Sequence, residues 1–76
     1  MTDDELVVNF ALARLDHPGL DLEEVAELLV RRMTRDEMLG YAARNLTDRD
    51  ELRGAAFQSA VECVLRIVLK LRESDD

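Results

Sequence analysis

Apolar residues recur along this chain with the period of an α-helix, in four separate runs. The last run is the longest and contains no glycine or proline after Gly54. At about 100° per residue, its polar side chains fall into one narrow stripe: Gln58, Ser59, Glu62, Arg66, Lys70 and Glu73. The other side, about 240° wide, is almost entirely apolar, whereas an ordinary surface helix has an apolar stripe a little over 100° wide. The pattern predicts a long, unbroken C-terminal helix at the centre of the fold or shared with a second chain.

Four N-terminal capping signatures mark the starts of these runs. Each places a Thr or Asp three residues before a carboxylate, so that each side chain can bind the other residue's backbone N–H. The four are Thr2 to Glu5, Asp21 to Glu24, Thr34 to Glu37 and Thr47 to Asp50. Together with the periodicity they predict four helices, near 3–16, 22–32, 35–45 and 48–72. The predicted fold is a single all-α domain over residues 1–76, a compact four-helix bundle-like structure.

The first and last predicted helices are apolar around most of their circumference, so we expect them to form the main pair of the core. Helices two and three have narrower apolar faces and should pack across this pair as a shorter second layer. Pro18 ends the first helix, because its ring disfavours helical geometry at His17. Gly40, inside helix three, costs up to about 1 kcal/mol in helix propensity, which suggests a close helix crossing at that position.

This packing leaves a surplus of apolar surface, because two short helices can cover the core pair only in part. One flank of the last helix has small residues suited to close approach by helices two and three: Ala56, Ala60 and Cys63. The opposite flank, Val61, Leu65 and Leu69, should then remain exposed in a monomer. A chain of 76 residues also builds only a marginal core. We therefore predict a homodimer with a two-fold interface at these three residues.

The composition offers little for catalysis or for a cofactor. One histidine and one cysteine cannot build a tetrahedral zinc site within a monomer. His17 lies in a predicted turn with no Ser or Cys near it in sequence, and Cys63 falls on the apolar arc, where a buried thiol is inert. We expect no enzyme activity, metal or cofactor. The N-terminal residues do not resemble a secretory signal, and no apolar run is long enough to span a membrane, so we expect a cytoplasmic protein.

Two resemblances stop short of a family assignment. Length, acidity and four helices are similar to an acyl carrier protein, but Gly19 to Leu22 stands where that family needs Asp-Ser-Leu for its phosphopantetheine. Leu22 to Leu29 resembles the first helix of a helix-turn-helix motif. In that motif a glycine turn and a basic helix usually follow, whereas here Val30 to Met33 continues the helix and the next one opens with Asp36 and Glu37.

The net charge of −7 argues against direct nucleic-acid binding, which requires a concentrated positive field. The acidic residues group at the four helix starts, where carboxylates complement the helix dipole. They also resemble a row of phosphates, so a DNA mimic is one alternative. The other is a weak DNA binder that uses four arginines: Arg31, Arg32, Arg35 and Arg44.

Binding to another protein is the function that the sequence favours. A small acidic helical module fits an adaptor, or an inhibitor or regulator of a larger protein, acting as a homodimer; its size suits a phage or mobile-element origin. We expect the partner-binding surface to include Arg31, Arg32, Arg35 and Tyr41, because Arg and Tyr are enriched among residues that dominate binding energy.

Overall fold

The computed structural model describes residues 2–46 and 48–74, with side chains for 2–46, 48 and 54–70. Within these ranges the chain forms α1 (Asp3–Asp16), α2 (Leu22–Arg32), α3 (Arg35–Ala42) and α4 (Arg49–Ser74). The predicted all-α, four-helix fold is confirmed. The first three helices begin at the predicted residues, and α4 begins within one or two residues of its predicted start, a difference that has no structural meaning.

Reciprocal capping explains why α2 and α3 begin where they do. The Glu24 backbone N–H donates to Asp21 Oδ1 at 2.8 Å, and the Asp21 N–H donates to Glu24 Oε1 at 3.3 Å. Thr34 and Glu37 form the same box, with bonds of 3.2 and 3.4 Å. Each pair therefore satisfies N–H groups that the helix itself leaves without partners.

The other two predicted signatures lie at the starts of α1 and α4. Thr2 caps α1, since its Oγ1 accepts a hydrogen bond from the backbone N–H of Glu5 at 3.2 Å. The signature from Thr47 to Asp50 lies outside the described side chains, so it stays a prediction.

α3 ends at Ala42 rather than near residue 45, and the Ala42 carbonyl joins the helix end to the following turn and to α4. It accepts hydrogen bonds from the N–H groups of Asn45 and Leu46, each at 3.1 Å. The Ser59 hydroxyl of α4 donates to the same oxygen, also at 3.1 Å. Ser59 is therefore buried, although the periodicity placed it on the polar stripe of the last helix. This contact fixes the end of α3 against the middle of α4.

α4 lies at the centre of the fold and packs against all three other helices, most extensively against α3. The expectation that α1 and α4 form the main pair is therefore wrong, although the central position of the last helix is confirmed. The buried side chains of α4 are Ala56, Ser59, Ala60, Val61, Cys63, Val64 and Val68. With the half-buried Leu65 they span about 240° of the helix, which is the width of the predicted apolar arc.

The flank of α4 that was expected to remain exposed is largely covered. Val61 is completely buried, Leu65 is half-buried against the core, and only Leu69 is exposed, at 42%. The expectation that Val61 remains exposed is wrong, since the three helices packed around α4 leave it no accessible surface. The surplus of apolar surface therefore does not lie on this flank.

The structure around Gly54 and around Gly40 also differs from what the sequence predicted. α4 is interrupted at Ala55, where φ is −126° and ψ is 19°. The break directly follows Gly54, a weak helix former, so the last helix is not unbroken as the pattern predicted. Gly40 does not mark a close helix crossing, because it is exposed and a Cβ placed on it would meet no atom within 4 Å.

The open surroundings of Gly40 predict that Gly40→Ala raises the free energy of unfolding by up to about 1 kcal/mol, through higher helix propensity and a less flexible unfolded chain. Urea denaturation measures the change. The reverse substitution Ala11→Gly, at an exposed position inside α1, is the matched control and should lower stability by a similar amount. A loss of stability in Gly40→Ala would mean that the alanine methyl meets a neighbour.

The capping box of α3 predicts that Thr34→Ala lowers the free energy of unfolding by about 1 kcal/mol, because the Glu37 N–H loses its acceptor. Thermal and urea unfolding give the value. Thr34→Ser keeps the hydroxyl and should stay close to the wild type. Equal losses in the two variants would show that the lost methyl, rather than the cap, is responsible.

Candidate functional site

The predicted partner-binding residues do not form one exposed ridge. Arg31, Arg32 and Arg35 are exposed, but Tyr41 retains only 5% of its accessible surface. Tyr41 follows Met38 by one helical turn, so it lies on the inner face of α3, against the core. The expectation that Tyr41 lies on an exposed surface is therefore wrong, and the role of these four residues in partner binding stays a prediction.

Three of the four arginines that were considered for DNA binding have different surroundings. The Arg31 guanidinium lies 5.8 Å from the centre of the Phe57 ring, within the range of a cation–π contact. The Arg44 guanidinium lies 5.0 Å from the Tyr41 ring centre, and its Nη1 lies 3.3 Å from Asp3 Oδ1. Arg32 instead lines a groove beside α1. Arg31, Arg32 and Arg44 therefore each lie beside a different part of the fold.

A cleft of about 370 Å³, which contains several charged side chains, lies where the first turn of α1 meets α4 and the turn after α3. Its lining is Asp3, Asp4, Arg44, Asn45, Cys63, Arg66, Ile67 and Lys70. Arg66 donates to Asn45 Oδ1 at 2.9 Å, and the Asn45 amide donates to the Ser59 carbonyl at 3.2 Å. Three cations and two carboxylates share the cleft, so their charges largely cancel. We interpret it as a region of ion pairs and hydrogen bonds that joins α1 to α4.

Among the described residues, the large apolar side chains with the highest exposed fractions are on α1. Val8 is 57% exposed, Leu12 54% and Leu15 78%, and Leu69 of α4 follows at 42%. The spacing of four and then three residues places the first three in one line on the helix, and we call this line the outward stripe. The surplus of apolar surface predicted for the fold therefore exists, but on α1.

A second apolar line on α1 anchors the helix to the core. Leu6, Phe10 and Ala13 are exposed by 2% or less, and α1 packs through them against α2 and α4. The average directions of the two lines differ by about 160° around the helix axis. α1 is thus apolar on two opposite sides, which explains why the sequence showed no single apolar face.

A groove of about 400 Å³ runs beside the outward stripe, between α1 and α2, and we call it the α1–α2 groove. Its lining is Asn9, Leu12, Ala13, Asp16, Leu29, Arg32, Met33 and Glu37. Leu12 belongs to both features, so the stripe and the groove form one continuous surface. Met33, whose unbranched side chain can adopt many conformations, lies in the groove.

Carboxylates surround this surface. Asp4 and Glu5 lie beside the stripe near the start of α1, Asp16 lies at its end, and Glu37 lines the groove; we call these four residues the acidic rim. Arg32 is the one cation in the lining of the groove. The surface combines an apolar centre with a negatively charged edge.

The two residues that were considered for catalysis, His17 and Cys63, lie at the end of α1 and in the core. His17 is exposed, and its backbone N–H donates to the Ala13 carbonyl at 2.9 Å. Cys63 is buried, and burial raises the pKa of its thiol above the ordinary value of 9.0. The reactive thiolate is therefore disfavoured. Among the described residues, no three His, Cys, Asp or Glu side chains lie close enough together to hold a metal ion.

Comparison with known proteins gives no family. The chain matches no family model, no curated protein and no solved structure. Within the described part of the chain, no helix is both long and apolar enough to cross a membrane. The functional interpretation therefore depends on the surface itself.

Alkaline pH should destabilise the fold through Tyr41 and Cys63. Burial raises the pKa of Tyr41 above its ordinary 10.0 and the pKa of Cys63 above 9.0, and the negative charge of Asp3 raises both further. Each contribution to stability is complete below the pKa of the unfolded chain and is lost as the pH rises through the higher pKa of the folded chain. Urea unfolding should therefore show falling stability above about pH 9.

The double variant Tyr41→Phe, Cys63→Ala is the control, because it removes both titrating groups. Its stability should depend less on pH in this range. The Tyr41 hydroxyl is buried and makes no hydrogen bond within the described residues, so losing it should cost little at neutral pH. An equally steep alkaline loss in the double variant would assign the effect to other groups.

Proposed function

We propose that this chain is a non-catalytic protein–protein interaction module of the cytoplasm, an adaptor or an inhibitor or regulator of a larger protein. It binds its partner through the outward stripe of α1. The observation that supports this proposal is the exposure of 54 to 78% at three large apolar side chains on one side of one helix.

The energetics favour a binding role for this stripe. Burying one Leu or Val side chain fully stabilises a protein by about 1.5–3 kcal/mol, and most of that gain is missing for Val8, Leu12 and Leu15 in the isolated chain. Single exposed apolar residues are common, but a contiguous apolar patch with a polar edge is typical of an interaction site. A partner that covers the stripe recovers this burial energy without any change in the fold.

A homodimer is a second form of the proposal. Its two-fold interface would lie on α1 instead of on the α4 flank of Val61, Leu65 and Leu69. Closed two-fold dimers are the commonest oligomers, and an apolar helix face can pair with its own copy. Sedimentation equilibrium distinguishes this form, because the wild-type mass would be that of two chains and Leu12→Glu would reduce it to one.

The nucleic-acid alternatives gain little from the geometry. Glu24 and Glu37, which a DNA mimic would present, are engaged in capping boxes, and Asp3 is paired with Arg44. The arginines needed for direct DNA binding are dispersed over several surfaces. An apolar stripe also has no role in either mechanism.

Site-specific photo-crosslinking in the native cell tests the proposed surface. A photoreactive phenylalanine analogue at position 12 or 15 should give a discrete adduct with the partner. The same analogue at position 62, which is exposed on the polar side of α4, is the matched control and should give none. Adducts that form equally from all three positions, or from none of them, would contradict the proposal.

Leu12→Glu provides the complementary variant. It should abolish the adduct formed from position 15 while changing the free energy of unfolding by no more than about 0.5 kcal/mol, because the side chain is more than half exposed. Leu6→Ala, on the buried side of the same helix, should cost about 2–5 kcal/mol. This contrast separates loss of binding from loss of folding.

A further inference from the structure

The outward stripe and the α1–α2 groove restrict the kind of segment that can bind there. An extended peptide that adds to a sheet needs an exposed strand edge, and the described residues form helices and turns only. A polyproline segment needs a groove lined with aromatic rings, and none of the eight residues that line this groove is aromatic. A partner helix, whose side chains recur every three or four residues, matches the spacing of Val8, Leu12 and Leu15.

The charges restrict the partner further. The acidic rim contributes four carboxylates, of which Glu5 and Asp16 are exposed beside the stripe. Asp4 also lines the cleft that contains Arg44 and Lys70, and Glu37 also accepts hydrogen bonds from Thr34. Arg32 contributes the one cation of the groove lining. Arg14 is exposed on α1 but points about 130° away from the stripe. The chain as a whole has a net charge of −7, so its long-range field also attracts positive partners. Complementary charges beside an apolar contact speed association and exclude wrong partners.

A second copy of this chain fits the surface less well. A two-fold contact pairs a surface with itself, so it would gather eight rim carboxylates and two Arg32 side chains at one interface, twice the number that a single chain contributes. Like charges placed across an interface oppose association. A partner with positive charges beside its apolar stripe avoids this repulsion.

We propose that the outward stripe and the α1–α2 groove bind an amphipathic α-helix of another protein whose apolar face is flanked by lysine or arginine residues. The partner's apolar side chains cover Leu12 and Leu15 and enter the groove between Leu29 and Met33. Its cations face Glu5 and Asp16. This inference rests on the proposed function and adds the chemistry of the partner.

Two synthetic helical peptides with the same leucine stripe test the inference by titration calorimetry with the full chain. One carries lysines beside the stripe and the other carries glutamates. The lysine peptide should bind at least about tenfold more tightly, and its affinity should fall as salt is added. Leu12→Glu should abolish this binding, whereas Leu69→Glu, at the exposed leucine of α4, should leave it unchanged.

Charge reversal tests the role of the rim. The pair Glu5→Lys and Asp16→Lys should invert the preference, so that the glutamate peptide binds more tightly. The pair Glu23→Lys and Glu62→Lys changes the net charge by the same amount at exposed positions outside the stripe and the groove lining. This control should keep the preference for the lysine peptide, because the rim carboxylates remain.

Three outcomes would overturn the inference. Equal binding of both peptides would show that the rim does not select the partner, and binding of neither would exclude a helix of this kind. A dimer that Leu12→Glu splits would show that a second copy occupies the stripe. A discrete crosslink from position 12 in the cell would preserve the proposed function in the first two cases, so failure of the two proposals can be distinguished.

Discussion

The structure depends on covering α4, a helix that is apolar over about two thirds of its circumference. An ordinary surface helix buries little more than a quarter of its circumference, so one neighbour can cover it, whereas α4 needs three. This requirement brings α1, α2 and α3 around a common centre and explains why α4 contacts each of them. The small residues Ala56 and Ala60 allow close approach, which a domain of this size needs to build a core.

The need to cover α4 also determines which side of α1 faces the core. α1 reaches the core through Leu6, Phe10 and Ala13, and these three residues suffice to hold it against α2 and α4. The opposite side stays largely exposed among the described residues, with only Leu12 also lining the α1–α2 groove. Packing among the described residues leaves its three large apolar side chains more than half exposed, and this exposure is the observation on which the proposal of a binding partner rests.

Local interactions account for what the sequence could predict. Capping boxes are formed within four residues, so Asp21 and Thr34 mark helix starts without knowledge of the fold. The bond between the Ser59 hydroxyl and the Ala42 carbonyl at the end of α3 spans 17 residues, and no local pattern reveals it. The sequence also could not show whether the surroundings of Gly40 are crowded or open, because a glycine in a helix fits both a close crossing and an open surface.

The candidate surface was harder to predict than the fold. Periodicity identifies apolar positions but does not say which neighbour covers them, so Val61 and Val8 could not be distinguished until α1 was placed. Tyr41 had a sequence signal that could have corrected its assignment, since it shares the inner face of α3 with Met38. The α1–α2 groove had none, because its lining comes from residues 9 to 37 of three different helices.

The two opposite stripes of α1 have a consequence for how such a protein evolves. Folding constrains the buried positions 6, 10 and 13, whereas in the proposed function recognition would constrain the exposed positions 8, 12 and 15, and the two sets share no residue. A mutation in the second set would then alter binding without bringing the chain closer to its threshold of stability. In that case one side of a single helix could acquire new partners by drift, while the opposite side keeps the domain folded.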